Sequence, residues 1–225
     1  MSVWPHPIKA VIFDCDGTIL DTLPIYFQTN DKILGFKYPR ELSKQTCGKS
    51  EIEICRIIVN HFNLPMTPQE YLDKRNEILN DTLPNSELIP HVDDLIKKLK
   101  SMGLKMSVAT SSFRRLHELK TKNHRDLFSL FDYEICGDDV KNAKPAPDSF
   151  LLAASKMCCL KPENVLVFED ATTGVKAANN ANMPVVVYHK DNEDFRSNLE
   201  SNEAKPTVIL EKFENFDYSL FNWQP

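Results

Sequence analysis

The fold of this chain can be read from one stretch, Lys9-Ala-Val-Ile-Phe-Asp-Cys-Asp-Gly-Thr18. Its first five residues form a short apolar run with β-branched side chains, which is typical of a strand buried in a parallel sheet. The run stops at two aspartates, Asp14 and Asp16, and a glycine that allows a tight turn. Because a strand, two acids and a turn rarely occur together by chance, the stretch predicts an acidic functional site at the end of a buried strand.

Further apolar runs alternate with helical patterns along the rest of the chain. One amphipathic pattern covers 92–102 and is followed by Gly103, which is typical of a helix C-terminus. Strands that alternate with helices predict an α/β protein, with a doubly wound, Rossmann-like parallel sheet of about five strands. The ligand site of such a sheet lies beyond the carboxyl ends of its strands. The other strand-like runs are 105–110, 133–136, 164–168 and 183–188.

The interval 22–89 interrupts this alternation, because it contains helical patterns and no convincing strand. A crossover of this length is well beyond the usual connection between two strands. We therefore expect a helical cap domain at 22–89, inserted after the first strand, and a catalytic core made of 1–21 and 90–225. The alternative is that these helices simply pack against the sheet. The aromatic tail, 213–223, is expected to pack on the core as a terminal helix. The helical patterns of the insert cover 23–34, 50–62, 68–83 and a short stretch near 40–46.

Composition narrows the class of protein. The formal net charge of −5 disfavours nucleic-acid binding, since phosphate backbones are held by clustered Lys and Arg. The first residues do not resemble a signal peptide, and no apolar run is long enough for a membrane span. The six cysteines lack the paired spacing of a zinc site and are expected to be reduced thiols. We therefore expect a cytoplasmic, monomeric protein that binds neither nucleic acid nor membrane.

Polar residues follow four of the predicted strands, and in a parallel sheet these positions meet at one edge. Several carboxylates without His or Cys partners suit Mg²⁺, which prefers oxygen ligands. Asp14 and Asp170 would hold the metal through their side chains, and Asp16 through its backbone carbonyl. The residues at the four strand ends are Asp14 and Asp16, the segment Thr110-Ser111-Ser112, Lys144, and the pair Glu169 and Asp170.

Such a set of groups predicts phosphoryl transfer. A metal, a lysine and a hydroxyl around an open position can neutralise a transferring phosphoryl group. The Asp14 carboxylate is then a competent nucleophile and gives an aspartyl-phosphate. Asp16, if it is sheltered and faces the leaving oxygen, can protonate that oxygen and later deprotonate the attacking water.

Four segments of the chain, in this order, resemble the motifs of the haloacid dehalogenase superfamily. The helical insert resembles the cap of the phosphatase and β-phosphoglucomutase branch of that superfamily. The resemblance covers essentially the whole chain. The matching segments are Phe13-Asp-Cys-Asp-Gly-Thr18, Ala109-Thr-Ser-Ser112, Ala143-Lys-Pro-Ala-Pro-Asp148 and Val167-Phe-Glu-Asp-Ala-Thr-Thr-Gly174.

The resemblance implies a role for each matching residue. Asp14 is expected to be the nucleophile and Asp16 the acid/base. A magnesium ion would be held by Asp14, Asp16 and Asp170, with Glu169 beside it. The phosphoryl group would be bound by Thr110 and Lys144, and by the backbone amides of Cys15, Asp16 and Ser111 with Ser112 next to them.

A closer similarity covers 110–153, which resembles the pseudouridine 5'-phosphatase group. That group includes plant and animal relatives active on small sugar and polyol phosphates such as glycerol 3-phosphate, which implies a small-molecule phosphate ester as the substrate. The chain departs from the family pattern at His91, where a glycine commonly follows the hinge proline, here Pro90. It also departs at Cys15, where a larger apolar residue is more common.

The segment Cys47-Gly-Lys-Ser50 ends like a nucleotide-binding P-loop. The first glycine of that motif would fall at Ser43 and no strand precedes it, so the P-loop interpretation fails. Two interpretations remain: a cap loop in which Lys49 faces the substrate, or an ordinary helix start with Ser50 as N-cap.

Two other functions are open at this point. A phosphomutase of the β-phosphoglucomutase type would need a cap that binds a second phosphate. Lys49 is the only cation near this part of the cap sequence, and the acidic Glu51 and Glu53 that follow would repel such a phosphate. A non-enzymatic phospho-aspartate receiver or phosphate-binding module would need neither the helical insert nor Asp16. The pattern favours a phosphomonoesterase.

Overall fold

The computed structural model describes residues 3–42, 50–157, 161–189 and 192–225. Six strands form one parallel sheet in the order β5-β4-β1-β6-β7-β8, and two short strands, β2 and β3, pair antiparallel. The sheet confirms the doubly wound α/β prediction, with one strand more than expected. The strands are β1 Ala10–Phe13, β2 Leu20–Asp21, β3 Glu87–Leu88, β4 Lys105–Ala109, β5 Tyr133–Ile135, β6 Val165–Glu169, β7 Val185–Tyr188 and β8 Val208–Leu210.

Helices cover both faces of the parallel sheet. The first face packs against α4 and the aromatic tail, and the second against α7, α8 and α9. The helices are α1 Leu23–Leu34, α2 Glu51–His61, α3 Pro68–Thr82, α4 Val92–Ser101, α5 Arg114–Thr121, α6 Arg125–Phe128, α7 Asp148–Lys156, α8 Thr172–Asn180 and α9 Glu193–Ser201. No helix in the described part of the chain is long and apolar enough to cross a membrane.

Strand β1 lies in the middle of the sheet, between β4 and β6. Its side chains alternate between the two faces, so Val11 and Phe13 join one apolar cluster while Ala10 and Ile12 join the other. All four are fully buried, which explains why the strand is an unbroken apolar run rather than an alternating one. The Asp14 N–H continues the ladder by donating to the Phe168 carbonyl at 2.9 Å, so the first aspartate begins where the pairing ends.

Helices α1, α2 and α3 form the insert, and they share an apolar cluster of their own around Tyr71 and Ile58. Strands β2 and β3 carry the chain into and out of the insert, with Leu20 opposite Leu88. The three long helical patterns predicted in this interval match α1, α2 and α3 closely. Most of the short pattern near 40–46 lies outside the described residues.

The C-terminal tail differs from the sequence expectation, and the backbone at His91 explains a departure from the family pattern. The tail contains two 3₁₀ turns, Phe213–Asn215 and Tyr218–Leu220, rather than a terminal helix, although its aromatic rings do pack on the core. His91 has φ 63°, a left-handed conformation that glycine adopts without steric cost, and this accounts for the glycine that is common at that position.

The N-terminus of α3 offers a test of this fold. The Thr67 side chain accepts a hydrogen bond from the Glu70 N–H, and the Glu70 carboxylate accepts one from the Thr67 N–H. Because this reciprocal cap satisfies two helix-end donors, Thr67→Ala is expected to lower the free energy of unfolding by about 1 kcal/mol in urea titrations. Thr82→Ala is the control, since the Thr82 hydroxyl only donates to the Ile78 carbonyl. Equal losses in the two variants would contradict the role of the cap.

Candidate active site

The carboxyl end of the sheet gathers charged groups from three neighbouring strands around Lys144. Its ammonium nitrogen donates to Asp14 Oδ1 at 2.6 Å, to Glu169 Oε1 at 2.8 Å and to the Ala109 carbonyl at 3.0 Å. Asp14, Lys144 and Glu169 are all buried. One buried lysine therefore connects the ends of β1, β4 and β6, as expected from the parallel topology.

Burial dominates the electrostatics of the acidic residues. It raises the pKa of Asp14 to about 7, with Lys144 opposing the shift and Glu169 adding to it. Burial, followed by the charges of Glu169 and Asp14, also raises the pKa of Asp170 well above its usual range. The carboxylates of these three residues face a single ammonium group. Such an excess of buried negative charge is stabilised when a cation is bound.

The oxygen donors at this position fit Mg²⁺. Asp170 lies directly against the first motif, since a Cβ on Gly17 would come within 2.1 Å of Asp170 Oδ2, and Thr18 Oγ1 lies 3.3 Å from Asp170 Oδ1. The described residues contain no group of three His, Cys, Asp or Glu side chains placed to hold a metal by themselves. A magnesium site needs fewer than three protein side chains, because Mg²⁺ keeps water and substrate oxygens as ligands. Asp14, Asp170 and the Asp16 carbonyl are suitable in kind and number.

Glu169 was predicted beside the metal, and both oxygens of its carboxylate accept hydrogen bonds in the structure. One oxygen accepts from Lys144, and the other accepts from the N–H groups of Asp170 and Ala171, each at 2.8 Å. A Cβ on Gly174 would come within 1.7 Å of the same carboxylate. With both oxygens engaged by donors, Glu169 holds Lys144 and the start of α8 in place, and its place beside a metal stays a prediction.

Asp16 lies in a different environment from Asp14. Its carboxylate accepts hydrogen bonds from Thr22 at 2.7 Å, Ser112 at 2.9 Å and Thr110 at 3.1 Å. Lys120 donates to both carboxylate oxygens, at 2.5 and 2.6 Å. Burial alone would raise the pKa of Asp16, but Lys120 and the hydroxyl groups lower it to about 2. In this arrangement Asp16 is ionised, whereas the sequence argument expected a carboxyl group able to carry a proton.

Sequence reasoning missed Lys120. Its side chain is fully buried, which is exceptional for lysine unless an anion compensates its charge. A signal was present, because Lys120 is four residues after Leu116 and three after His117, so helical spacing places it on the buried face of α5 with them. Thr22 was missed as well, and it is buried immediately before α1.

The remaining predicted residues fall into three groups. Ser111 and Ser112 line the cavity described below, while the Thr110 and Cys15 side chains are buried behind its surface. Ser50 is the N-cap of α2, makes no side-chain capping bond and lines the same cavity. Lys49 lies outside the described residues, so its predicted contact with substrate stays a prediction.

A cavity of about 1050 Å³ lies between the acidic edge of the sheet and the helices of the insert. Both parts of the chain line it. From the core come Asp14, Asp16, Ser111, Ser112, Lys144 and Asp170, and from the insert Leu23, Tyr26, Asn30, Tyr38, Glu51 and Arg75.

An α/β sheet with these acidic strand ends under a helical insert is the arrangement of the haloacid dehalogenase-like hydrolases. The model of that family matches residues 11–188, and the chain belongs to the family. It is therefore an enzyme of the hydrolase class, as the sequence predicted.

Two relatives of the chain carry the names of phosphatases. The (DL)-glycerol-3-phosphatase 2 of Arabidopsis thaliana is 40% identical over 80% of this chain and 79% of its own length. A Drosophila melanogaster protein named "Probable pseudouridine-5'-phosphatase" is 40% identical over 80% of this chain and 81% of its own length. Among solved structures, the β-phosphoglucomutase of Clostridium difficile superposes with a TM-score of 0.73 at 22% identity, covering 94% of each chain, which shows a shared fold.

The ion pair of Asp16 with Lys120 predicts a large stability effect. Asp16→Asn leaves the buried ammonium of Lys120 without its carboxylate, and we expect a loss of about 3 kcal/mol in the free energy of unfolding. Adding Lys120→Met removes the unpaired charge and should recover most of that loss. Asp126→Asn, an exposed aspartate, is the control. The free energy of unfolding in urea is measured for the wild type, the two single aspartate variants and the double variant. A double variant no more stable than Asp16→Asn would contradict the pairing.

The same pair predicts an acid-sensitive part of the stability. Because the pKa of Asp16 is lowered in the folded state, its contribution is present above the unfolded value of 3.8 and is lost as the pH falls toward about 2. The difference in unfolding free energy between the wild type and Asp16→Asn should therefore shrink by about 1 kcal/mol between pH 5 and pH 3. A difference that stays constant over this range would refute the lowered pKa.

Proposed function

We propose that the chain is a Mg²⁺-dependent phosphomonoesterase that hydrolyses a small phosphorylated metabolite through an aspartyl-phosphate on Asp14. The observation that carries this proposal is the buried contact of Asp14 with Lys144 at the floor of a cavity that the insert covers. Lys144 also holds Glu169, and Asp170 lies against the same motif. This is the charge arrangement that a transferring phosphoryl group requires.

The reaction has two steps in which the residues of the chain act. In the first, an Asp14 oxygen bonds to phosphorus while the bond to the leaving oxygen breaks, and Lys144 neutralises the phosphoryl oxygens. Asp16 gives a proton to the leaving oxygen. In the second, water attacks phosphorus and gives its proton to Asp16, and Asp14 is released together with inorganic phosphate. Bound Mg²⁺ supplies charge neutralisation at the phosphoryl oxygens.

Asp16 must change partners for this role. While Lys120 and Thr22 bind both of its oxygens, the carboxylate has no proton to give. Thr22 precedes the first helix of the insert, and Tyr26 of that helix has its ring centroid 5.9 Å from the Lys120 nitrogen. We propose that a movement of the insert toward the core, when substrate binds, rearranges these contacts and frees Asp16 to carry a proton.

The insert would then serve as a cap, with 22–89 as the cap domain and 1–21 with 90–225 as the catalytic core. The relatives named for pseudouridine 5'-phosphate and glycerol 3-phosphate support a small sugar, nucleoside or polyol phosphate as the substrate. Cys15, Cys55 and Cys136 are buried free thiols, which supports a reducing compartment such as the cytoplasm, and we propose a monomer. We propose that the enzyme binds neither nucleic acid nor membrane.

The pairing of Arg75 with Glu51 gives a further reason to disfavour a phosphomutase. The sequence argument named Lys49 as the only cation near the cap segment, but Arg75 of α3 also reaches the cavity. Arg75 is paired with Glu51 at 3.1 Å, so its charge is already compensated and is not free for a second phosphate. Release of inorganic phosphate without a sugar bisphosphate as primer is the result expected for a phosphatase.

Loss of the nucleophile is the most direct test. Asp14→Asn should lower phosphate release from p-nitrophenyl phosphate by at least about 10³-fold, because the amide cannot form the acyl-phosphate. Asp126→Asn, at an exposed position, is the matched control and should keep wild-type turnover. The same loss should appear with pseudouridine 5'-phosphate and glycerol 3-phosphate, whichever of them is turned over. Persistent turnover by Asp14→Asn would exclude the proposed mechanism.

Metal binding can be tested without turnover. A ligand that binds only the folded state at a hundred times its Kd stabilises it by about 2.7 kcal/mol, so Mg²⁺ should raise the melting temperature of the wild type. Asp170→Asn removes one of the two side-chain ligands and should abolish most of that shift. Asp126→Asn, at an exposed position, serves as the control. An equal shift in Asp170→Asn would rule out Asp170 as a ligand.

A further inference from the structure

The turn that follows β5 lies beside the loop that follows β4. We call Gly137–Asp139 the β5 turn and residues 110–113 the β4 loop. The hydrogen bonds between the two strands continue past the end of the sheet. The Thr110 N–H donates to the Ile135 carbonyl at 2.9 Å. The next bond of the series joins the Gly137 N–H to the Ser112 carbonyl at 2.8 Å, so the β5 turn contacts the β4 loop directly.

The β5 turn approaches the β4 loop too closely for a side chain at its first residue. A Cβ on Gly137 would come within 2.4 Å of the Ser111 carbonyl oxygen and 3.1 Å of the Ser111 carbonyl carbon. The φ of Gly137 lies outside the left-handed range, so this close approach, and not the backbone conformation, favours glycine here. Because the neighbouring atoms belong to the backbone, a side chain could be accommodated only by moving the Ser111 peptide.

Asp139 holds the β5 turn against the start of α5. Its Oδ2 accepts hydrogen bonds from the Cys136 N–H at 2.8 Å and from Arg114 Nη2 at 2.5 Å. Arg114 is the first residue of α5, and its backbone N–H donates to Asp138 Oδ1 at 3.0 Å. Its Nη2 also donates to the Glu134 carbonyl at 3.2 Å. Backbone and side-chain groups therefore both attach the end of the β4 loop to the β5 turn.

Ser112 connects this arrangement to the reacting groups. Its carbonyl accepts from the β5 turn, and its hydroxyl donates to Asp16 Oδ2 at 2.9 Å. Its N–H donates to Thr110 Oγ1 at 3.1 Å, so the peptide groups on both sides of Ser112 are held by hydrogen bonds. The Ser111 N–H, which was predicted to bind the phosphoryl group, belongs to the same short segment. A backbone donor is effective toward an anion when it is held in place before the anion arrives.

We propose that the β5 turn is a positioning element for phosphate binding, which fixes the β4 loop so that the Ser111 N–H meets a phosphoryl oxygen. This inference rests on the proposed phosphatase function. Gly137 provides the close approach that fixes the Ser111 peptide, and Asp139 holds the turn in place. A misplacement of about 1 Å in a group that contacts the reacting atoms can cost about a hundredfold in rate.

Gly137→Ala tests the close approach. The added methyl group must displace the Ser111 peptide, so we expect the inhibition constant of inorganic phosphate, measured against hydrolysis of p-nitrophenyl phosphate, to rise at least about tenfold. Gly35→Ala is the matched control, because a Cβ there would meet no other atom of the described residues within 4 Å, while a φ of 77° makes alanine costly for stability. Gly35→Ala should lose stability in urea and keep the wild-type inhibition constant. A folded Gly137→Ala protein with that same constant would overturn the inference.

Asp139 gives a second test that adds no atom near the site. Within the described part of the chain, the cavity is lined by Gly137 and Asp138 but not by Asp139, so an effect of Asp139 on phosphate binding must pass through the turn. Asp139→Ala removes the acceptor for Cys136 and Arg114, and we expect the phosphate inhibition constant to rise at least about fivefold. Asp139→Asn keeps an acceptor oxygen and should restore that constant to within about twofold of the wild type. A loss of stability in Asp139→Ala with an unchanged inhibition constant would refute the positioning role.

The wild type separates this inference from the proposed function. Its turnover of p-nitrophenyl phosphate with Mg²⁺ is measured alongside every variant. Absence of that turnover would overturn the phosphatase function and this inference with it. Turnover by the wild type that inorganic phosphate inhibits, with the same inhibition constant in Gly137→Ala and Asp139→Ala, would overturn the positioning role alone.

Discussion

The contacts of Lys144 with Asp14 and Glu169 are the interaction on which the site depends. They join three strand ends that are distant in sequence, and all three side chains are buried. Removing the ammonium would leave two carboxylates facing each other in a region of low polarity, which is far more costly than losing an exposed ion pair. The parallel sheet brings these residues together, and each buried charge is stabilised by the opposite charge beside it.

The two aspartates of the first motif are separated by one residue and yet have opposite electrostatic environments. Asp14 shares its lysine with Glu169, and burial keeps its pKa high. Asp16 has Lys120 to itself together with several hydroxyl donors, and its pKa is low. Successive residues of a strand face opposite ways, so a spacing of two would normally place both acids on the same side. Strand β1 ends at Phe13, so both aspartates lie beyond the strand, where this alternation no longer holds and the two carboxylates reach different lysines.

The features of the fold and site that were predictable are those that leave a pattern in the local sequence. The strand before Asp14 could be predicted because its apolar run reflects burial on both faces, and the convergence of Thr110, Lys144 and Asp170 followed from parallel topology alone. The sixth strand, Val208–Leu210, was not among the predicted strands. Lys120 was missed because a buried lysine contradicts the usual rule for charged residues, and only the position of its partner in three dimensions explains it.

The expected proton carrier shows the limit of the same reasoning. A pair of acids around one residue indicates two roles, but the protonation state of each depends on neighbours that the motif does not contain. Thr22 and Lys120 come from the start of the insert and from a helix about a hundred positions away, respectively. The chemistry of Asp16 is therefore a property of the assembled fold, while its presence is a property of the sequence.

The close approach of Gly17 to Asp170 has a consequence for how this enzyme can diverge. Any side chain at position 17 would have to displace the Asp170 carboxylate, and any at position 174 would displace Glu169. Mutational drift at the sheet edge is therefore blocked sterically, whatever the substrate. Sequence change at these two positions is therefore limited by the neighbouring carboxylates themselves.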